Sequence, residues 1–496
     1  MASPRATRRD WAGLAVLMLP VLLVSIDTTV LNVALPQIAR DLSPTAAQQL
    51  WLIDAYPLVL ATLLVTMGTV GDRVGRRRTL LVGATGFAGV SVLAAVAPTA
   101  ELLLLARVAL GVFGATLMPA TLSLLRTMFL DRAQRRLAVA IWATAFSVGS
   151  ALGPVVGGIL LARFAWGSVF LVAVPILLPL LVLGPFLVRE SRDPAPGRVD
   201  PVGIALSMAA LGGLAWSVKH AAVDGVDAVG VTALVLAVVA GTLFVRRMRR
   251  AVDPMLDVGL FAVPVFSGAL AVNLLSIVAL TGFLFFVTQH LQLVEGMPAL
   301  DASLVLVPGV VAMVASGLLV VRLVRHVRPA TAVVGGLTFS FSAYALLAVG
   351  GETVTVPQIA LAFALLGLGI GAAETISNDQ ILTAVPPAKA GAASAVSETA
   401  YEFGAVLGTT VLGGMLTAVY RSSLRVPAGT DEDAAAAARE TLGGAVAAAE
   451  RTGDPHLLEA ARAAFDAGVG VTSTAGAVLV AVAALVAWTT LRRAES

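Results

Sequence analysis

Carboxylates placed within long apolar runs are the residues of this sequence best suited to chemistry. They are Asp27, Asp54, Glu374, Asp379, Glu398 and Glu402. Because low-dielectric surroundings disfavour ionised groups and the acids repel one another, several should hold a proton at physiological pH. A carboxylate in this condition releases its proton when a cation arrives and takes one up when the cation leaves. The pattern therefore indicates sites that exchange protons for cations.

Spacing places two of these acids on one helix face. Glu398 and Glu402 are four residues apart, and Tyr401 lies on the adjacent line, where its ring can face a cation. Two acids have structural alternatives. Glu402 can serve as a hydrogen-bond partner of a neighbouring helix, and Asp54 can lie partly hydrated near the outer interface.

One basic residue, Arg107, interrupts an apolar run and is predicted to be the only base inside the membrane. A charge in mid-span costs about 2.5–3.5 kcal/mol on insertion scales, so the side chain should face a cavity or a partner. We expect it either to modulate the protonation of the acids or to act as the hub of a structural ion pair. Lys219 is assigned to an outer loop, and His290 to the end of a span without a role.

The elements that must position these side chains are membrane helices. Charged residues make up 13% of the 496-residue chain, against about 25% in soluble domains, while apolar residues make up 58% and mean hydropathy is +0.93. A helix needs about 20 apolar residues to cross the hydrocarbon core. Fourteen runs meet this need, which predicts an all-α integral membrane protein. They begin near Trp11, Leu50, Thr79, Glu101, Leu137, Trp166, Pro201, Val226, Pro264, Ala302, Ala330, Pro357, Ala390 and Gly468.

The same composition disfavours a soluble enzyme, a nucleic-acid-binding protein and a disordered chain. Cysteine is absent, and the four histidines are scattered without metal-ligand spacing. Neither a Gly-x-x-x-x-Gly-Lys-Ser/Thr phosphate loop nor a Gly-x-Ser-x-Gly nucleophile elbow is present, which disfavours an ATP-driven pump and a membrane enzyme. We therefore expect no catalysis, no cofactor, no metal and no nucleic-acid partner.

The placement of basic residues predicts a multi-pass protein of the cytoplasmic membrane with both termini cytoplasmic. With the N-terminus inside, 24 of the 33 basic residues fall in cytoplasmic segments, eight fall outside, and one lies within a span. An odd number of spans would break this alternation.

Short loops and basic linkers divide the spans into groups of six, two and six. This predicts an N-terminal six-helix bundle at 1–200, a two-helix insertion at 201–258 and a C-terminal six-helix bundle at 259–496. The acid-rich segment 421–466, before the last span, is either a solvated external hairpin or a lid or vestibule that attracts cations.

The loop after the second span can form a charged latch at the cytoplasmic face, because its glycines allow a tight turn and its aspartate can pair with arginine. The residues concerned are Gly68, Asp72, Arg73, Gly75 and Arg76. The alternative is that its charges only set the topology. A weaker basic echo lies at 322–328.

The fifth span carries four glycines around a proline. They are Gly149, Gly153, Pro154, Gly157 and Gly158. Glycines at four-residue spacing permit close helix packing, and Pro154 removes a backbone hydrogen bond and bends the helix. A plain packing kink is the alternative to a functional role.

The latch loop and the position of Arg107 in the fourth span resemble the major facilitator superfamily. The glycine–proline pattern of the fifth span is similar to that of its drug:proton exporters. Further stretches resemble the fourteen-span antiporters: 25–36, 51–56, 166–170, 371–379 and 386–391. The run Ser-Glu-Thr-Ala-Tyr-Glu-Phe-Gly at 397–404 is similar to a span of the quaternary-ammonium exporters.

The resemblance implies two six-helix bundles plus a two-helix insertion, and a monomeric, proton-driven exporter of lipophilic cationic drugs in the lipid bilayer. It implies protonation and cation recognition at Asp27 and Glu398, a further functional acid at Asp54 and proton transfer at Arg107. Glu374 matches no known role. An exporter of one antibiotic that gives self-resistance and a proton-coupled importer remain as alternatives.

Overall fold

The computed structural model describes residues 6–192, 200–223, 225–251, 254, 257–324, 326–350, 354–385 and 390–492. Within these ranges the chain forms α-helices joined by short connections, with no β-strand. This confirms the predicted all-α class. Pro386, Pro387 and Lys389, which belong to one of the motif stretches above, lie outside the described residues.

The helices follow the apolar runs of the sequence. In chain order they are α1 Arg8–Leu42, α2 Ala46–Val74, α3 Arg76–Ala95, α4 Ala100–Met128, α5 Arg132–Leu161, α6 Ser168–Leu171, α7 Ala173–Leu187, α8 Pro201–Val223, α9 Ala228–Arg250, α10 Pro264–Gln289, α11 Ala299–Leu323, α12 Pro329–Val349, α13 Val356–Thr383, α14 Ala390–Gly408, α15 Gly414–Ser423, α16 Glu432–Glu440, α17 Leu442–Thr452 and α18 Pro455–Leu491. Two π-helical turns, His290–Val294 and Thr409–Gly413, continue α10 and join α14 to α15.

Each of the fourteen predicted spans coincides with one of these helices or with a pair of helices in series. Over the described residues, thirteen are long and apolar enough to cross a membrane, and the apolar stretch Val148–Leu161 of α5 is shorter. Helix ends follow local signals. Thr7 and Thr45 form capping boxes at the starts of α1 and α2. Gly75, with φ +121°, separates α2 from α3 in a conformation that favours glycine.

The segment before the last span differs from the expectation. The last helix begins at Pro455 rather than near Gly468, because Asp454 caps its first turn through the backbone N–H groups of His456 and Leu457. The short helices α16 and α17 precede it. Tyr420 donates a hydrogen bond to the Ala438 carbonyl at 2.7 Å, which holds α16 against the end of α15.

A small pocket lies beneath these short helices. Glu440 lines it together with Gln49, Gln289 and Phe465. Glu440 is already paired with Arg421 and accepts a hydrogen bond from the backbone of Ala46 at 3.0 Å. The segment is therefore docked onto the bundle, and its role as an external hairpin or as a lid stays a prediction.

Candidate functional site

The central feature of the bundle is a buried ion pair between α1 and α4. Arg107 Nη1 lies 2.6 Å from Asp27 Oδ2, and the exposed fractions of the two residues are 1% and 6%. Sequence reasoning identified both residues, and it kept an ion-pair hub as one of two roles for the arginine. The structure brings them into direct contact, so this part of the site is a charged pair and not a lone arginine.

The guanidinium is fixed by three further contacts with α2. Its Nε donates to the Leu52 carbonyl at 3.0 Å, its Nη2 donates to the Ile53 carbonyl at 3.4 Å, and it lies 4.7 Å from the ring centre of Tyr56. The planar guanidinium suits such multiple contacts because its donors point in fixed directions. Arg107 therefore holds three helices together at the level of Asp27.

A second buried ion pair was not foreseen. Lys219 of α8 is 2% exposed, and its Nζ lies 2.8 Å from Asp54 Oδ2. Its assignment to an outer loop is wrong, and so is the expectation that Arg107 is the only base within the bundle. The partly hydrated position considered for Asp54 is also wrong, because its exposed fraction is 0%. Thr410, in the second π-helical turn, donates to the same Oδ2 at 3.1 Å.

Three glutamates face the bundle interior without a matching base. Among the described residues, Glu374 Oε1, Glu398 Oε1 and Glu402 Oε2 have no hydrogen-bond partner. Glu402 is 1% exposed, and it feels the charges of Glu398, Asp27 and Arg107. Glu402 therefore lies near both Glu398 and the Asp27–Arg107 pair.

Aromatic rings line the same region. Tyr401 stands edge-on to Phe146 with ring centres 5.0 Å apart, and its hydroxyl lies 3.4 Å from Ser150 Oγ on α5. Phe146 in turn stacks on Trp142. This arrangement places Tyr401 between the glutamates and an aromatic wall, so acidic and aromatic groups, which both attract cations, line one region.

Asp379 does not join the cluster. It is exposed near the C-terminal end of α13, about a turn and a half beyond Glu374. Its neighbour Asn378 instead forms a polar contact with Ser397 and Asn273, at 2.9 and 3.3 Å. The sequence shows that Asp379 follows an apolar run, but not that the helix has reached the rim of the bundle there.

His290, to which the sequence gave only an interfacial position, is 1% exposed. The π-helical turn continues α10 past Gln289 and keeps the imidazole inside, where Nδ1 lies 3.0 Å from Asp466 Oδ1 of α18. The early start of α18 supplies this partner. The assignment as a boundary histidine is therefore wrong.

The predicted latch loop forms a network at the opposite end of the bundle. Arg76 Nε lies 2.7 Å from Asp72 Oδ1, and the Glu190 carboxylate accepts the backbone N–H groups of Arg77 and Arg78 at 3.0 and 3.3 Å. Glu190, which sequence reasoning did not single out, joins this loop to the end of α7. Gly68 makes only ordinary contact with α4, and Arg73 is exposed.

The glycines of α5 pack against α1 beside Asp27. A methyl group at Gly149 or Gly153 would come within about 3 Å of backbone carbonyl oxygens of α1, those of Leu22 and Ile26. Gly157 faces Val30 in the same way, while Gly158 faces Ser303 of α11. Pro154 lies inside the helix as predicted. The motif therefore serves close approach, and it sets the position of the helix that carries Asp27.

We expect Gly153→Ala to lower the free energy of unfolding by about 1–3 kcal/mol, because its new methyl group meets Thr29 Oγ1 and the Ile26 carbonyl and overpacking of this kind has that cost. Gly89→Ala on α3 is the matched control, since no heavy atom lies within 4 Å of its added methyl group. Equilibrium unfolding in detergent micelles measures both. Equal stability of the two variants would contradict the steric role of Gly153.

The sequence matches a known protein family over most of its length. Residues 17–409 match the Major Facilitator Superfamily. The chain belongs to this superfamily. The all-helical fold of the described residues is therefore that of a major-facilitator transporter.

Several known proteins are similar to this chain over nearly its full length. It is 54% identical, over 99% of its length and 98% of the other protein, to the multidrug efflux pump LfrA of Mycolicibacterium smegmatis. It is 33% identical, over 98% and 99%, to the methyl viologen resistance protein SmvA of Salmonella typhimurium. It is 31% identical, over 98% and 92%, to the tetracenomycin C resistance and export protein of Streptomyces glaucescens.

A solved structure supports the fold independently. The chain superposes with a TM-score of 0.72 on a bacterial homologue of the human lysosomal transporter Spinster, in an inward-facing, unoccupied conformation. The two share 18% sequence identity, and the match covers 98% of each chain. At this identity the likeness shows the major-facilitator fold alone.

Proposed function

We propose that this chain is a proton-coupled antiporter that exports lipophilic cations across the cytoplasmic membrane as a monomer. The observation that carries the proposal is the set of three glutamates, Glu374, Glu398 and Glu402, each of which has one buried side-chain oxygen without a hydrogen-bond partner among the described residues. An ionised carboxylate is costly in such surroundings unless a cation or a proton neutralises it. A cation and protons can therefore exchange places there.

The Asp27–Arg107 pair sets the charge that an arriving cation meets. Asp27 neutralises the guanidinium, so the positive charge of Arg107 is not presented unopposed to the cargo. In the proposed cycle, the cation approaches the glutamates and Tyr401, and Glu398 and Glu402 release their protons. Entry of protons from the outside restores the neutral acids and expels the cation. Asp27 senses the cation, and Arg107 modulates this protonation through their ion pair.

The proposed movement is a rocking of the bundles 1–200 and 259–496 about this site, with 201–258 as an insertion. Several contacts that join the two bundles lie at the end bearing the segment 421–466. They include the Gln292 side chain on the Val33 carbonyl at 3.1 Å, and the packing of Gly158 against Ser303. In the proposed topology, with both termini cytoplasmic, this end is external, and these contacts would close the site toward the outside.

The proposal predicts that a lipophilic cation displaces protons from the purified protein. Adding tetraphenylphosphonium to the detergent-solubilised protein in weak buffer should release protons, and Glu398→Gln and Glu402→Gln should each lower the number released. Glu459→Gln, an exposed acid on α18, is the matched control and should release as many as the native protein. Unchanged release in both site variants would refute the assignment of the proton sites.

Reconstituted vesicles test whether cation transport is coupled to the movement of protons. Cation transport by the reconstituted protein should fall at least about tenfold when an ionophore dissipates the imposed pH gradient. Full transport without a gradient would exclude an antiporter driven by protons, whatever the fate of single acids.

A narrower substrate range is the second candidate. One relative at 31% identity is named for tetracenomycin C resistance and export. An exporter of a single antibiotic would protect a pump-deficient host from that compound alone, whereas the proposed exporter should protect it from several unrelated lipophilic cations.

A further inference from the structure

The ammonium of Lys219 occupies a site whose walls suit an organic cation. Its Nζ lies 2.8 Å from Asp54 Oδ2, 3.2 Å from the Leu50 carbonyl oxygen and 3.8 Å from the ring centre of Trp51. A carboxylate, a carbonyl oxygen and an indole face together are the groups that bind ammonium ligands. All three belong to the start of α2, whereas the ammonium that fills the site comes from α8.

The occupant is attached in a way that permits its withdrawal. Arg107 is held by Asp27 and two carbonyl oxygens in a rigid fork, but Lys219 is a point charge at the end of a flexible stem of four carbons. Asp54 Oδ1 has no hydrogen-bond partner among the described residues, so the carboxylate retains capacity for another cation.

A single stretch of chain determines the distance between the Lys219 site and the glutamates. Thr410, which donates to Asp54, follows Glu402 by eight residues along α14 and its π-helical turn. Eight residues of helix correspond to roughly 12 Å. The Lys219 site and the glutamate site therefore lie about as far apart as the two charged ends of a long bis-quaternary ammonium ion.

We propose that Lys219 is a tethered substitute for a cationic head group, and that Leu50, Trp51 and Asp54 form a second cation subsite that becomes available when α8 withdraws it. The inference rests on the proposed export of lipophilic cations and adds a second binding site for cations that have two quaternary head groups. One head group binds at Glu398 and Glu402, and the other binds in place of Lys219. The helices of 201–258 thereby control access to a cargo site.

The test compares two probes at mildly alkaline pH: decamethonium, with two quaternary heads, and dodecyltrimethylammonium, with one. Lys219→Gln should lower the Kd of decamethonium by about tenfold, equivalent to about 1.4 kcal/mol. It should change the Kd of dodecyltrimethylammonium by less than about twofold, because that probe needs only the glutamate site. Lys219→Arg keeps the charge and should leave both Kd values within about twofold.

The Trp51 ring separates a specific subsite from a general change in charge. In Lys219→Gln/Trp51→Leu, the gain for decamethonium should disappear, since the ring that receives the head group is gone. If Lys219→Gln does not yield a monodisperse protein, Trp51→Leu alone gives the comparison: it should raise the Kd of decamethonium and leave that of dodecyltrimethylammonium within about twofold. An equal change for both probes, or a gain that persists without Trp51, would overturn the proposal.

Failure of this inference is distinguishable from failure of the proposed function. Native protein that exchanges protons for tetraphenylphosphonium, together with Lys219 variants that show no selective gain, would overturn only the second subsite. Native protein that binds neither probe and displaces no protons would overturn the function itself.

Discussion

Asp27→Asn should abolish cation export, and it should do so mainly by weakening cation binding. The substitution removes the carboxylate that lies 2.6 Å from the buried guanidinium of Arg107 and leaves that positive charge unopposed. At an effective dielectric constant near 20, a unit charge at roughly 6 Å repels a second one by about 3 kcal/mol, a loss of roughly a hundredfold in affinity. Equilibrium binding of tetraphenylphosphonium and efflux from cells measure the two effects.

A second substitution tests whether the unopposed charge of Arg107 causes the loss of binding. In Asp27→Asn/Arg107→Gln the unopposed charge is gone, so binding should recover to within about tenfold of the native value. Asp301→Asn, an exposed aspartate at the start of α11, controls for the loss of any acid and should behave as the native protein. If Asp27→Asn binds the cation as tightly as the native protein does, the pair has no part in recognition.

The fold was predictable because every helix that crosses a membrane requires an apolar run of about the same length. Apolar runs of the length needed to cross the hydrocarbon core recur fourteen times, and each became a helix or a pair of helices. The acids Asp27, Glu398 and Glu402 could be selected for the same reason, because a charge in such a run is rarely accidental. The latch and the α5 glycines were recognisable through their spacing and their resemblance to the superfamily.

Partners across helices were not predictable from one chain. Lys219 lies four residues before the end of α8, and a lysine in that position commonly extends toward the interface. Its burial follows from the packing of α8 on α2, which no local pattern records. Thr410 was missed because a π-helical turn departs from the period of 3.6 residues by which helix faces are read.

The predictions for Asp379 and His290 were wrong for a related reason. Asp379 and His290 both stand near the ends of apolar runs, where one residue more or less of helix decides between the interior and the surface. The π-helical turn after α10 carries His290 inward, while α13 brings Asp379 out to the rim. Sequence alone locates such ends only within a few residues.

The Asp54–Lys219 pair should contribute strongly to the stability of the bundle. Removal of one partner from a buried ion pair leaves an uncompensated charge, at a cost of about 3–5 kcal/mol. We therefore expect Asp54→Asn and Lys219→Met each to lower the free energy of unfolding by about this amount. The double variant Asp54→Asn/Lys219→Met should lose less than either single variant, because neither charge remains. Equilibrium unfolding in detergent micelles measures all three.

A more exposed ion pair, between α9 and the residue that precedes α8, provides the matched control. Arg247 of α9 lies 2.6 Å from Asp200, and its side chain is 46% exposed. Its hydrogen bond holds the pKa of Asp200 below the usual value. Solvent screens such a pair, so Arg247→Gln should cost less than about 1 kcal/mol. If the losses of Asp54→Asn and Lys219→Met were as small, or simply added in the double variant, α8 would not be fastened to α2 by charge. Losses that exceed the control and fail to add would instead establish 201–258 as an energetically coupled part of the transporter, because the missing sum can arise only from the contact between those two side chains.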